Sequence, residues 1–358
     1  MNLTSFTFIK DNISNVTRAN CTLPPQVFFS LNVFPLIMNM LIILAQSFNL
    51  IVFHFWRQKE PFVQLHVALA WPSLLFSITV SGTQITCILP WREPLSVTLI
   101  NFFGGLPDFW HTLSLVTLLS ISMDRWLSVE FPGKYRLQIS RKKVQLTILT
   151  NWIVTALLTL PWMILHWPIV KGFCNRPIDA GVAFVTPGGR VWKILHGPVL
   201  IGIFAVFQLR VVIIAVRVKV RAMVKRKHLR RAPGPDGRQP SVRVVGIVWT
   251  SLRANMIILF VGAVADLPYV IEVGHFVRNP TWLLVIHMLP TVQHIYSPIV
   301  YLIFFPQFRA VFRPLYGRIA ECCGLRGHSL VIPSVPLVAT ASAEIIPTGN
   351  TRAERRAP

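Results

Sequence analysis

Six ionisable side chains with the chemistry to hold a ligand or a proton lie inside long apolar stretches of this chain. They come two to a stretch, as Asp108 and His111, Asp266 and Glu272, and His287 and His294. A charged or imidazole group costs free energy in hydrocarbon, so such groups mark ligand sites or pair with one another. Two interpretations are equally open: a ligand pocket built from these groups, and internal pairing, for example of Asp266 with His294, without a ligand.

An adjacent acid and base, Asp124 and Arg125, end the third apolar stretch and precede Trp126. Near a membrane boundary a charge costs free energy unless it is paired or reaches water. On these grounds alone, the pair could simply set the topology at a helix end.

Catalytic and metal chemistry have little support in the sequence. A metal site could be assembled from four residues in the apolar stretches, namely His66, His111, Asp266 and His294. However, the chain has no H-E-x-x-H or comparable spacing of metal ligands. We predict no catalytic residues, no metal, no cofactor and no enzymatic activity.

The elements that position these side chains are seven apolar stretches, each about long enough to cross a bilayer. The chain has 358 residues, of which 53% are hydrophobic and only 13% are charged. The stretches are too long for barrel strands, and in lipid the remaining way to pair every backbone group is a helix. We predict an all-α membrane protein, a seven-transmembrane helix bundle with spans at roughly 27–55, 62–89, 97–126, 144–168, 192–217, 244–273 and 281–305.

The net charge of +22 does not indicate nucleic-acid binding, because the basic residues are distributed as membrane topology predicts. The basic residues gather in four segments that share one face if all seven spans are real, at 57–59, 134–143, 217–243 and 309–326. By the positive-inside rule that face is cytoplasmic. We predict a multi-pass protein of the plasma membrane with an extracellular N-terminus, a cytoplasmic C-terminus, contact with membrane lipid and no nucleic-acid partner.

The segments outside the spans agree with this topology. Residues 1–26 form a predicted extracellular tail with four N-x-S/T glycosylation acceptors, at Asn2, Asn12, Asn15 and Asn20. We expect the first span to act as an uncleaved signal anchor. Residues 27–305 form the bundle, 306–320 an amphipathic helix on the membrane surface, and 321–358 a flexible cytoplasmic tail. Cys322 and Cys323 are candidate palmitoylation sites, with free thiols as the alternative.

At this point the chain resembles the rhodopsin-like (class A) G-protein-coupled receptors over about residues 27–320. The motifs occur in the family's order and spacing: Asn49-Leu50-Ile51-Val52, Asp124-Arg125-Trp126 with Pro132 and Lys134-Tyr135-Arg136, Trp152, Pro198, Pro268-Tyr269, and Ser297-Pro298-Ile299-Val300-Tyr301. The resemblance implies a receptor that signals to heterotrimeric G proteins, with arrestin as a candidate partner and an unknown extracellular ligand.

The resemblance also assigns roles. Asp124 would restrain Arg125 at rest, and Trp126, Pro132 and Tyr301 would belong to the same G-protein-coupling region. The prolines in spans five, six and seven, Pro198, Pro268 and Pro298, would act as hinges, because each removes a backbone donor. Their alternative role is a tolerated bend, which is common in membrane helices.

Several positions depart from the family's pattern. Trp71 aligns with the buried aspartate that binds sodium, and Ser297 replaces an asparagine of that site although Ser114 remains, so we expect sodium binding to be lost. In span six, Asp266 stands for the toggle tryptophan and Gly262 for the switching phenylalanine. Such changes are frequent in orphan and virally encoded receptors and favour constitutive or weak coupling.

The extracellular face departs too. The family's span-three cysteine falls at Ile100, so Cys174 lacks its usual partner. Cys87 could replace that partner, with free thiols or a Cys21 bridge as alternatives. Pro107 holds the amine-binding position, which disfavours an amine ligand. No lysine lies between 280 and 305, which excludes a retinal Schiff base in span seven.

Other functions remain as alternatives. A non-signalling scaffold or decoy, or a lipid scramblase, could use the same seven-helix fold. A transporter or channel is less favoured, because the sequence has no inverted repeat that we detect.

Overall fold

The structure, a computed structural model, describes residues 29–56, 61–88, 93–166, 199–231 and 280–322, together with 191, 194, 195 and short pieces between 256 and 267. These residues are helical apart from short connections. The helices are α1 (Phe34–Phe55, after a π-helical turn at Phe29–Val33), α2 (Pro61–Ile88), α3 (Glu93–Glu130), α4 (Pro132–Gln138), α5 (Arg141–His166), α6 (Leu200–Arg231), α7 (Pro280–Phe304) and α8 (Pro306–Cys322).

Predicted spans one to five and seven correspond to α1, α2, α3, α5, α6 and α7, and the described pieces of span six are helical. The largest difference is at α6, which continues to Arg231 although span five was predicted to end near 217. Hydropathy marks where a helix leaves the apolar layer, whereas lysine and arginine are good helix formers in water. The helix therefore continues beyond the predicted boundary.

By length and composition, three of the described helices could each cross a membrane, at Phe34–Phe55, Val63–Thr86 and Arg141–Pro161. Met288–Phe304 would be a fourth only if it is counted together with the helical segment after it. The region Leu200–Ile214 is apolar but shorter. The other predicted spans therefore rest on the sequence pattern and on the fold comparison given below.

The described helices expose many large apolar side chains and bury several polar ones, which suits a hydrocarbon surrounding. Leu44, Leu157 and Phe260 are 68%, 70% and 69% exposed, whereas Gln46 and Asn49 are fully buried. Buried hydroxyl groups often bond back to their own helix; for example, that of Thr117 donates to the carbonyl of Leu113 at 2.7 Å. Such bonds satisfy polar groups where no water is present.

The helices pack around α3, which lies against α2, α4, α5 and α6, while α1 lies between α2 and α7. The start of α8 is anchored by Phe308, whose side chain is 0% exposed. Its ring centroid lies 5.7 Å from that of Phe53 on α1 and 5.8 Å from that of Tyr301 on α7. This aromatic cluster fixes where the chain turns after α7.

Candidate functional site

The end of α3 carries a closed ion pair between neighbouring residues. Nη2 of Arg125 lies 2.5 Å from Oδ2 of Asp124, and Nε donates to the same oxygen at 3.0 Å. The Asp124 side chain is 8% exposed and that of Arg125 is 15% exposed. One carboxylate oxygen thus satisfies two donors of the guanidinium in a nearly dry place, which is a strong, charge-assisted contact.

A third residue, Tyr135 on α4, completes this arrangement. Its hydroxyl donates to Oδ1 of Asp124 at 2.5 Å. Burial, followed by the negative charge of Asp124, raises the pKa of the Tyr135 phenol well above its usual range. The phenol therefore stays protonated and remains a donor. We call Asp124, Arg125 and Tyr135 the α3–α4 lock.

Local sequence explains why Tyr135 reaches Asp124. Pro132 is at the first turn of α4, where a missing backbone N–H costs nothing. The amide of Phe131 still bonds to the carbonyl of Leu127, and that of Tyr135 to the carbonyl of Phe131. The chain therefore turns directly from α3 into α4 and brings the phenol back over Asp124.

The other residues predicted for this region lie apart from the lock's hydrogen bonds. The ring of Trp126 packs against Phe207 of α6 at 5.5 Å between centroids. Tyr301 is buried on α7, and its hydroxyl bonds with Nδ1 of His66 on α2 at 2.8 Å. Tyr301 thus ties α7 to α2.

A second polar cluster lies between α2, α3 and α7. Nε2 of Gln293 lies 2.9 Å from Oγ of Ser114 and 3.1 Å from Nδ1 of His111. Nδ1 of His294 lies 2.9 Å from Oγ of Ser73. The structure therefore brings together His111 and His294 of the six predicted side chains, with ring centroids 5.7 Å apart.

The first helix joins this cluster through Gln46. Its Nε2 donates to the backbone carbonyl of His294 and, at 3.1 Å, to Oγ of Ser297. Asn49 in turn donates to Oε1 of Gln46 at 3.1 Å. These side-chain amides and hydroxyls connect α1, α2, α3 and α7 in the apolar interior, and we call the whole set the interhelical polar network.

The structure places Trp71 on the outside of the bundle rather than at a buried position. Trp71 was assigned to the family's buried acidic position, but its side chain is 49% exposed on α2. Ser73, two residues later, is 3% exposed and contacts His294 in the interhelical polar network. Two residues turn a helix by about 200°, so Trp71 and Ser73 face nearly opposite directions. At this level of α2 the buried polar side chain is therefore that of Ser73, and Trp71 faces outward.

The remaining predicted residues are only partly described. Asp108 lies on α3, where its backbone carbonyl accepts from Thr112 at 2.6 Å, and Pro298 lies inside α7. His287, Cys87, Pro132 and Cys322 fall within helices, but their side chains lie outside the described part. Wholly outside the described residues are Asp266, Glu272, Pro198, Pro268, Cys21, Cys174, Cys323, Asn2, Asn12, Asn15 and Asn20.

Metal binding finds no support in the described ranges, where no group of three or more His, Cys, Asp or Glu side chains could hold a metal ion. His66, considered above as a ligand, instead packs its ring against Tyr301 at 5.2 Å and against Phe305 at 5.9 Å. It therefore belongs to the α2–α7 contact.

Sequence reasoning did not identify Tyr135, Ser73, Gln46 or Gln293 as functional residues. The one available signal was Tyr135 in the segment after Pro132, because a phenol close to an Asp-Arg pair can donate to the carboxylate. The other three look like ordinary polar residues in apolar helices. Their partners lie on distant helices and cannot be inferred from local pattern.

Comparison with known proteins agrees with this architecture. No protein-family profile matches the chain. It is 25% identical over 217 residues to the alpha-2B adrenergic receptor of Rattus norvegicus, covering 54% of this chain and 44% of that receptor. It is 33% identical over 104 residues to the muscarinic acetylcholine receptor gar-3 of Caenorhabditis elegans, covering 29% of this chain and 16% of that receptor.

A third relative is the D(5)-like dopamine receptor of Takifugu rubripes, 29% identical over 103 residues, which covers 26% of this chain and 22% of the receptor. The chain thus spans less than half the length of these three relatives. All three are receptors, which agrees with the prediction that the chain is not an enzyme.

The fold is that of a rhodopsin. The crystal structure of squid rhodopsin superimposes with a TM-score of 0.58 at 18% sequence identity, covering 84% of this chain and 88% of that one. This likeness supports the predicted all-α fold. Taken with the receptor relatives, it supports the resemblance of the chain to the rhodopsin-like (class A) G-protein-coupled receptors.

Proposed function

We propose that this chain transmits a signal across the plasma membrane to heterotrimeric G proteins, with its basic end in the cytosol and its N-terminus outside. The observation that carries the proposal is the α3–α4 lock. A nearly buried Asp124 holds Arg125 and accepts a hydrogen bond from Tyr135 at the end of the bundle where lysines and arginines gather.

The lock is a restraint that a partner can replace. A hydrogen bond to a charged group contributes about 1.5–3 kcal/mol, so Arg125 is released when equivalent acceptors become available elsewhere. A helix C-terminus of a G protein, with its unpaired carbonyls and negative dipole end, is such an acceptor. Arrestin is a second candidate partner for the same face.

A contact between span six and α7 would act as a second restraint on the resting state. The hydroxyl of Tyr296 on α7 donates to the backbone carbonyl of Ile258 in span six. Gly262 lies beside it, at a place where the family has a phenylalanine. If span six and α7 separate during signalling, this hydrogen bond holds them together at rest.

The interior also has little free space near this contact. A cavity of about 20 Å³ borders Gly262, Leu118 and Phe204. A volume of this size accepts about one water molecule. Near it, His111 and His294 are engaged by Gln293 and Ser73, so these two imidazoles are held by neighbouring side chains.

Basal nucleotide exchange tests the proposal. The full chain in nanodiscs, mixed with purified G proteins of each class, should accelerate GTPγS binding, and Arg125→Ala should reduce that acceleration about tenfold. Lys142→Ala removes a nearby exposed positive charge on α5 and should leave it unchanged. No acceleration with any G-protein class would favour the scaffold, decoy or scramblase alternatives, and a lipid-flipping assay would then separate these.

The orientation is tested separately. Epitope tags at the two termini of the full chain should be accessible on opposite sides of intact cells, with the N-terminal tag outside. Two tags on one side would contradict the topology on which the G-protein proposal depends.

A further inference from the structure

A cleft of about 450 Å³ opens beside the α3–α4 lock, between the end of α3, α4 and the start of α5. We propose that this cleft binds an anionic phospholipid, with its phosphate between Lys134 and Lys143 and an acyl chain along Met123, Leu127 and Phe131. This inference is independent of G-protein coupling. It concerns which lipid the protein selects from the membrane.

The wall of the cleft is apolar where it opens outward. Met123 and Phe131 line it and are 41% and 44% exposed. Exposed apolar side chains that continue into a concave surface mark an interaction site. At this edge of a membrane bundle the adjoining apolar material is an acyl chain.

The rim of the cleft is cationic. Lys134 comes from α4 and Lys143 from the first turn of α5, and both are exposed. The acidic group in the lining, Asp124, is 8% exposed and already bonded to Arg125 and Tyr135. The two ammonium groups are therefore the charges that an incoming headgroup meets, and a phosphate is their natural counter-ion.

The depth of the cleft matches the level of phospholipid headgroups. The helix α5 starts with Arg141, Lys142 and Lys143, and then exposes Leu146 and Leu149 at 62% and 55%. The change from charged to apolar surface within two turns locates the boundary between headgroups and hydrocarbon. Lys143 lies at that boundary and also lines the cleft. A phospholipid bound there can therefore place its headgroup at Lys143 and its acyl chain against the apolar surface.

Charge complementarity can be tested with matched variants. The full chain is purified in a neutral detergent and titrated with phosphatidylserine or phosphatidylcholine, and bound lipid is counted by native mass spectrometry. Wild type should retain phosphatidylserine over phosphatidylcholine. Because each lysine near an anionic surface contributes about 1 kcal/mol, Lys134→Gln with Lys143→Gln should weaken phosphatidylserine binding at least about tenfold.

The control pair, Arg141→Gln with Lys142→Gln, removes the same charge from the same end of α5 but leaves the cleft lining intact. It should bind phosphatidylserine within about twofold of wild type. Equal losses in the two pairs would overturn the proposal, since they would indicate attraction to the basic face as a whole. Equal retention of the two lipids by wild type would overturn it as well.

A second variant tests the cavity itself. Thr147 lines the cleft on α5, and Thr147→Trp fills space without removing a charge. It should abolish the selective lipid adduct while the thermal unfolding midpoint stays near that of wild type. Inorganic phosphate at millimolar concentration should not displace the lipid; displacement would assign the site to a free anion and overturn the acyl-chain part of the proposal.

Discussion

The hydroxyl of Tyr135 and Oδ1 of Asp124 lie 2.5 Å apart, while Oδ2 of the same carboxylate accepts from Arg125. Both oxygens of Asp124 are therefore engaged, one by its neighbour on α3 and one by α4. This arrangement links the position of α4 to the restraint on Arg125. A movement of α4 that withdraws the phenol leaves the carboxylate with fewer partners and free to change its contact with the guanidinium.

Removing the phenol hydroxyl should weaken the restraint without unfolding the protein. Tyr135→Phe keeps the ring and deletes one charge-assisted hydrogen bond, which contributes about 1.5 kcal/mol or more. If the chain couples to G proteins as proposed, basal GTPγS binding should rise about threefold to tenfold. The same variant should lower the thermal unfolding midpoint only slightly, because Tyr135 is only half-buried.

A suitable control is Tyr316→Phe, since Tyr316 is 60% exposed on α8. Its basal exchange should equal that of wild type. A Tyr135→Phe protein with unchanged or reduced exchange would show that the phenol does not restrain Arg125 and that the lock contributes to folding alone.

The contribution of Tyr135 to stability should not change with pH through the physiological range. Burial and the charge of Asp124 raise the pKa of Tyr135 above its unfolded value of about 10. A raised folded-state pKa gives a stability contribution that is fully present below the unfolded pKa and is lost as pH rises through the folded one. The difference in unfolding midpoint between wild type and Tyr135→Phe should therefore stay constant from about pH 6 to 9 and shrink above about pH 10. A difference that changes near pH 7 would contradict this assignment.

Much of the helical layout was predictable, because long apolar runs in a sequence indicate membrane-spanning helices. The family resemblance made the pairing of Asp124 with Arg125 a reasonable expectation, and the i, i+3, i+4 pattern around Phe308 predicted an amphipathic segment. The sequence did not correctly predict which side chains of α2 face the interior of the bundle. The match to the family's motif placed Trp71 at a buried position, whereas the structure exposes Trp71 and buries Ser73.

The interhelical polar network could not be predicted for a related reason. Gln293 and Ser114 are separated by 179 residues, and Gln46 and Ser297 by 251. Nothing local distinguishes a glutamine that bonds across helices from one that bonds within its own helix. Only the assembly of α1, α3 and α7 in one bundle brings these side chains within hydrogen-bond distance.

Sodium should have no specific effect on this protein. A hard cation needs several oxygen ligands, usually with a carboxylate among them. At the described positions around Ser73 and Ser114 the neighbours are Gln293 and His294, and Ser73 and Ser114 both have hydrogen-bond partners there. Replacing NaCl by KCl or N-methylglucamine chloride at constant ionic strength should leave the unfolding midpoint unchanged. Stabilisation by sodium over potassium would mean that an acidic group reaches this place.

The stability of the protein should be sensitive to substitution of Gly262, because the hydroxyl of Tyr296 lies beside it. A Cβ built on Gly262 would lie 3.2 Å from the Tyr296 hydroxyl oxygen, whereas one on Gly202 of α6 would meet nothing within 4 Å. Replacing glycine by alanine inside a helix usually stabilises by about 0.5–1 kcal/mol, and Gly202→Ala should show this gain. At Gly262 the crowded hydroxyl must shift and strain its bond to the carbonyl of Ile258, so Gly262→Ala should fall short of that gain by about 1 kcal/mol.

A double-mutant cycle isolates the cause, because Tyr296→Phe deletes the hydroxyl that the new methyl group meets. In the Tyr296→Phe background, Gly262→Ala should recover the gain seen for Gly202→Ala, measured by chemical unfolding in mixed micelles. Equal effects of Gly262→Ala in the two backgrounds would contradict the contact. If span six and α7 separate during signalling, Gly262→Ala should also raise basal exchange in parallel with the lost stability, since it weakens the hydrogen bond that joins them.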